Sequence, residues 1–434
     1  MAQHLLRFSR LLPVLAASVL AACGGEDGPG DGDGDGDGDT CVRDITEKQT
    51  AATTWSAGDD NCAYSVKGVI EVSGALTIAP GTVVRFGPDA GLLIAETGSL
   101  NAVGTEAKPI TFTGTTQTPG FWKGLAFKSN NPANVLEYVT VSYAGSESPF
   151  CCDFFYGAGG GMDARAAVLL GSNLRDAAST VRITHTTIEK SGTVGLFAFN
   201  KARLPGFAQN VFRGNLGAPV SLTMSLVGAL DSASIYSGNS ATSPAANGDN
   251  TVHVLAAPTA DSGATQTLRK LDVPYGIATG IPDSTVSYTG ALTIDPGVRL
   301  QFEASSGLRI EQNGSLVARG TAADRIVFTG KTETSGYWKG ISIRSSSGSN
   351  VIAFADVKYG GSDDFCCDYF TNAGDIVANI SVGSGNSSNQ GRLQLTDSVI
   401  SESPAYGVFV FKAATFSESG NTYNGNSQNF AREN

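Results

Sequence analysis

The chain repeats itself. Residues 74–145 align with residues 290–361 without a gap, at a constant offset of 216, and nearly half of the 72 paired positions are identical. GALTIAPG (Gly74–Gly81) returns as GALTIDPG (Gly290–Gly297), and GLLIAETGSLNAVGT (Gly91–Thr105) as GLRIEQNGSLVARGT (Gly307–Thr321). GFWKG (Gly120–Gly124) returns as GYWKG (Gly336–Gly340), and GLFAF (Gly195–Phe199) as GVFVF (Gly407–Phe411). A duplication of this kind demands a fold that can be built twice from one unit and joined to itself.

Each copy has a shorter rhythm. Runs of three to five residues alternate apolar and polar: Leu76–Ile78, Val83–Phe86, Leu92–Ile94, Leu100–Ala102, Ile110–Phe112 and Leu125–Phe127. Gly, Pro, Asn or Asp separates them. Helical periodicity is nearly absent, so the segments read as short strands of a solenoid. In such a fold each coil stacks on its neighbour and inward side chains form continuous columns. A two-sheet sandwich would need antiparallel strands about eight to twelve residues apart; the spacing here is often shorter. With 54 glycines, 3 methionines and only 16% charged residues, the composition is that of a turn-rich, exported all-β protein.

The pattern GALTI-PG, GSL-A-GT, FTG and G-WKG looks like the repeat of extracellular right-handed β-helix proteins of the pectate-lyase-like superfamily. The resemblance covers roughly residues 64–216 and 275–430. It implies an all-β fold, a right-handed parallel β-helix solenoid built from two duplicated halves. The expected organisation is a first half with an N-terminal cap over 41–217, a connector or irregular coils over 218–273, and a second half over 274–434.

The N-terminus reads as an export signal. Arg7 and Arg10 precede the apolar run Leu11–Ala22, which is shorter than the roughly 20 residues a spanning helix needs and has the length of a signal-peptide core. Leu20-Ala21-Ala22-Cys23 resembles the lipobox of bacterial lipoproteins, which implies lipidation at Cys23, a signal peptide over 1–22 and a membrane partner through the anchor. Gly24 rather than Asp follows the cysteine, so the expected location is the outer membrane, on either side. Residues 24–40 (GGEDGPGDGDGDGDGDT) offer nothing apolar to bury and read as a flexible acidic tether with a reach of roughly 23 Å.

Without residues 1–22 the chain carries 27 basic and 40 acidic residues, a net of −13. That balance argues against nucleic acid as a partner. Asp33, Asp35, Asp37, Gly38 and Asp44 occupy positions 1, 3, 5, 6 and 12 of an EF-hand-like loop. The match is loose, since a DG repeat satisfies it by accident and the flanking helices are missing. Calcium at Asp33–Asp44 is a minor expectation, and no other cofactor is expected.

Polysaccharide lyases and hydrolases share the fold that the resemblance implies, but the NTD, GHG and RIK elements of polygalacturonase-type hydrolases are absent, and the pairs Asp59-Asp60 and Asp363-Asp364 stand alone. No catalytic residue is assigned. His185 has Asp397 at its duplicate position and His253 lies in the connector; both read as surface residues. Trp122 and Trp338 are read chiefly as packing against the solenoid and secondarily as sugar-facing, and Lys123 and Lys339 as solvated.

The remaining feature is FCCDFF (Phe150–Phe155) against FCCDYF (Phe365–Phe370). Setting Cys23 aside leaves six cysteines, an even number for an oxidising compartment. Cys41 and Cys62 are expected to pair. For Cys151, Cys152, Cys366 and Cys367 three arrangements stay open: rings between adjacent cysteines, pairing between the doublets, or free thiols holding a soft metal. Asp153, Phe154 and Phe155, with Asp368, Tyr369 and Phe370, are candidate binding residues beside the doublets; the competing reading is a stapled loop covering apolar surface. The expected function is a non-enzymatic envelope binding or scaffold module for a glycan or a surface protein. The alternative is a polysaccharide lyase or glycoside hydrolase, and a plain spacer is a third reading.

Overall fold

The computed structural model describes residues 41–58, 62–150, 154–156, 162–171, 178–199, 201–240, 244–256, 263–279, 284–366, 369–371 and 374–433. They form a parallel β-helix solenoid. Strands of three to five residues succeed one another around each coil, and each pairs in parallel with its counterpart one coil on. Among the described residues the only antiparallel pairings are two short hairpins, Phe155–Tyr156 with Met162–Asp163 and Phe370–Thr371 with Gly374–Asp375. Both lie in the loops that follow the cysteine doublets.

The alternation seen in the sequence sets which way each side chain points. In Val83–Phe86, for example, Val84 and Phe86 are buried while Arg85 is exposed, as a two-residue period requires. Stacking in register turns the inward positions into columns. One column passes through Ile70, Leu92, Leu125, Val168, Leu196 and Val220 on successive strands. Tyr275, Leu300, Phe328, Val357 and Ile400 continue it in the second copy. All belong to a single apolar core that runs from Trp55 to Ala414. Fully burying one such side chain stabilises the fold by roughly 1.5–3 kcal/mol.

Corners are made by two devices, both duplicated. Single non-glycine residues in the left-handed region turn the chain between neighbouring sheets: Tyr138 (φ 49°) and Phe354 (φ 47°), Tyr143 (φ 62°) and Tyr359 (φ 67°), His185 (φ 50°) and Asp397 (φ 50°). Buried asparagines satisfy the backbone that a corner leaves unpaired. Asn134 accepts from Leu100 N and donates to the carbonyls of Ser129 and Thr180; Asn350 repeats this with Leu316 N and Ser345 O. Cys41 and Cys62 form a disulfide at the N-terminal end, as expected, beside Trp55 stacked on Tyr64 at 5.1 Å.

The duplicated copies are out of phase by one face. A thirteen-stranded sheet runs without interruption from Val69–Val72 to Thr422–Asn424. In the first copy it contains Gly91–Ile94 and Gly124–Phe127; their duplicates, Gly307–Ile310 and Gly340–Ile343, lie in a separate six-stranded sheet. The place of those duplicates in the long sheet is taken by Arg299–Phe302 and Ile326–Gly330. These are the duplicates of Val83–Phe86 and Ile110–Gly114, which belong to a seven-stranded sheet of the first copy. The change of face falls within 218–273. There the strand Val252–Leu255 pairs on one side with Val220–Thr223 and on the other with Tyr275–Ile277.

Candidate functional site

Four of the candidate binding aromatics are inside. Trp122 is fully buried, stacked on Phe86 at 3.9 Å, with Nε1 donating to Ser142 O at 2.8 Å. Trp338 repeats this on Phe302 at 4.0 Å and Lys358 O at 2.8 Å. Neither offers a face to a sugar, because the indole fills the core and its single donor is spent on a main-chain carbonyl. Phe154 is 1% exposed and Tyr369 0%, which favours the reading of a loop covering apolar surface over rings presented to a ligand. Cys151, Cys152, Asp153, Cys367 and Asp368 lie outside the described residues, as do the side chains of Phe155 and Phe370.

What Phe154 and Tyr369 do is close lids. Phe150 and Phe154 cover an apolar patch on the outer face of the long sheet, with Ala126, Leu169, Phe197 and Phe199 beneath. Phe365 and Tyr369 cover the matching patch of Ala378, Phe409 and Phe411 on the six-stranded sheet. The Tyr369 hydroxyl bonds the Ser342 hydroxyl and accepts from Arg344 Nε at 2.9 Å; burial raises its pKa and keeps it neutral.

Lys123 and Lys339 hold these loops, contrary to their reading as solvated residues. Lys123 Nζ donates to the carbonyls of Ser148 and Pro149, and Lys339, 7% exposed, donates to Asp364 O at 3.0 Å. The duplicated Trp-Lys pair is thus one device: the indole faces the core and the ammonium ties down the lid. Cys366 is exposed and disulfide-bonded, which sets aside the free-thiol reading for that residue; its partner is outside the described residues. Because of the phase change, the two lids sit over different sheets.

The described part of the tether pattern is Asp44, in the strand Val42–Ile45, where it forms an ion pair with Lys67 at 3.3 Å. Asp33, Asp35, Asp37 and Gly38 are outside the described residues, as is Cys23. His185 stacks on Tyr138 at 4.5 Å at its corner. His253 is engaged more closely than a surface histidine. Its Nδ1 is 3.3 Å from Ser221 Oγ and its Nε2 is 2.8 Å from Asp249 Oδ2.

Among the described residues a concave feature lies at the seam between the copies. One sheet of the first copy ends at Arg182–Thr184, its second-copy counterpart begins at Gln266–Leu268, and the short 3-10 helix Met224–Ala229 stands between them. This break in the stacking leaves a cleft of about 880 Å³, within the size range of ligand pockets. Asn130, Thr180, Arg203, Ser225, Gln266 and Arg269 supply its polar lining, and Leu204 and Leu226 part of its apolar wall. Arg269 Nη1 donates to the carbonyls of Gly228 and Leu230, and Gln266 Oε1 accepts from Gly228 N at 2.7 Å, so the helix is pinned to the next coil. No Asp or Glu lines the cleft among the described residues. Sequence reasoning passed over this site, because weak patterning in 218–273 signalled only a departure from regular coils.

Fold and cleft together define a class: a parallel β-solenoid with a ligand-sized opening where its two copies meet. No family model, curated protein or solved structure matches the chain.

Proposed function

We propose that this chain is an outer-membrane lipoprotein, anchored through Cys23 and lifted on its acidic tether, whose solenoid holds a carbohydrate segment in the seam cleft without breaking its backbone. Membership of the pectate-lyase-like superfamily belongs to the same proposal. The observation that carries the reading is the lining of the cleft. Hydroxyl, amide and guanidinium groups from five neighbouring coils suit a ligand rich in hydroxyls. A retaining or inverting glycosidase would place two carboxyl groups about the scissile bond, and the described lining has none. The test is calorimetric titration of the full mature chain with defined oligosaccharides, followed by assay for new reducing or unsaturated ends. Saturable binding that weakens at least tenfold in Arg203→Ala, with no new ends, supports the proposal. New chain ends would favour a lyase or hydrolase instead, and binding that is indifferent to Arg203 would place the ligand elsewhere.

A further inference from the structure

On another face, the outer surface of the long sheet aligns three side chains where the copies join. Ser221 and His253 are direct partners across the strands Val220–Thr223 and Val252–Leu255. Both point outward, because Val220, Leu222, Val252 and Val254 take the core positions. The sheet holds the two backbones about 4.8 Å apart, with Ser221 Oγ 3.3 Å from His253 Nδ1. On its far side the imidazole meets Asp249, whose other carboxylate oxygen accepts from the Thr251 hydroxyl. The bond to His253 draws the Asp249 carboxyl down to about 2, so it is an anion at neutral pH. These partners assign the imidazole proton to Nε2 and leave the Nδ1 lone pair turned towards the serine.

The surroundings also suit a particular substrate. Phe197 is the register partner of Ser221 on its other side. Leu255, two residues beyond His253, joins Phe197, Phe199 and Leu169 in one apolar cluster. Lys331, ion-paired with Glu303 at 2.8 Å, adds to the field that keeps Asp249 charged. Ser221 is 1% exposed and the imidazole 16%. The approach is therefore along the imidazole edge, where the next strand places Gly276 opposite His253 with the Thr279 hydroxyl beside it.

We infer that Ser221, His253 and Asp249 form a nucleophile, base and orienting group that hydrolyse esters of short apolar acyl chains, an activity separate from ligand binding in the cleft. Such units are recognised by geometry and roles, whatever the fold. Ser221 Oγ bonds to the ester carbonyl carbon as Nδ1 takes its proton. The carbon–alkoxide bond then breaks and the alkoxide leaves with that proton, so the acyl group remains on Ser221. A water molecule, deprotonated by the same nitrogen, attacks the acyl-serine, releases the carboxylic acid and restores the hydroxyl. Asp249 holds the ring and offsets the positive charge that develops on it.

The test uses the full mature chain with a fluorophosphonate serine probe and with p-nitrophenyl butyrate. The expected result is a probe adduct on the peptide containing Ser221, lost in Ser221→Ala and formed at least tenfold more slowly in His253→Ala and in Asp249→Asn. Butyrate ester hydrolysis should fall in the same order, and Ser221→Cys should restore acylation by the ester. Two results would overturn the inference: no adduct on Ser221 in the folded protein, or ester hydrolysis undiminished in Ser221→Ala. Circular dichroism of Ser221→Ala, which removes one atom from the sheet surface, establishes that the variant compared is folded.

Discussion

The ring of Phe365 rests on Gly307: a Cβ added to that glycine would lie 2.6 Å from Phe365 Cε1. Phe150 lies on Gly91 in the same way, at 2.7 Å. Side-chain absence at the duplicated glycine is what lets each lid lie flat on its sheet. We predict that Gly307→Ala lifts the second lid and destabilises the protein by about 1–3 kcal/mol, the usual range for overpacking. Dye binding to the uncovered Phe409 and Phe411 should rise with it. Gly68→Ala, where a Cβ meets nothing within 4 Å, is the control and should change little. Equal thermal midpoints for the two variants would contradict the lid geometry.

The buried tryptophans give a second prediction. Trp122→Ala empties a core position and removes the stack on Phe86, and should cost about 3–5 kcal/mol. Trp338→Phe keeps an aromatic ring over Phe302 but leaves the Lys358 carbonyl without its donor, a smaller loss of about 1–3 kcal/mol. Urea unfolding midpoints will rank them. A ligand-facing tryptophan would instead change affinity and leave stability nearly untouched.

Asp249 makes stability depend on acid. Its carboxyl is held at about 2 against an ordinary 3.8, first through its bond to His253. The charged form is the one the fold favours, so the contribution is complete above about pH 4 and is lost as pH falls towards 2. Asp249→Asn should therefore lose less stability than the native chain between pH 4 and pH 2. The carboxylate is 35% exposed, so solvent screens the pair and the difference is modest. Parallel acid titration curves for the two proteins would contradict the assignment.

Disulfide mapping under non-reducing conditions supplies the fourth. The strand that follows the first lid loop, Ala166–Leu170, and the one that leads into the second, Ala355–Lys358, are seven strands apart along the long sheet. At roughly 4.8 Å per strand that is about 34 Å, whereas bridged cysteines have Cα atoms about 4.4–6.8 Å apart. We predict that Cys366 is linked within its own doublet, to Cys367. A peptide joining Cys151 or Cys152 to Cys366 would reject this and require the lids to meet.

Much of the coil was legible because its determinants are local. Leu76, Ile78, Val84, Phe86, Leu92 and Ile94 alternate with polar neighbours, and the period of two directs them to one side whichever sheet the strand joins. The pairing of Cys41 with Cys62 was likewise readable from their position at the start of the body. The packing of Trp122 was also readable, but the role of Lys123 was not, because its partners lie in a loop about 25 residues further along the chain. The Ser221–His253 contact was invisible for a related reason: it joins residues 32 apart, and no periodicity relates them.

By itself the sequence determined the element type, the duplication, the apolar columns and the N-terminal disulfide, since each depends on spacing within a few residues or on a comparison of the two copies. Only the tertiary structure decided the face on which each strand falls. That phase accumulates along the solenoid from the length of every coil and the angle of every corner, and the irregular coils of 218–273 shift it by one face. The cleft, the separation of the two lids and the alignment of Ser221 with His253 all follow from that shift.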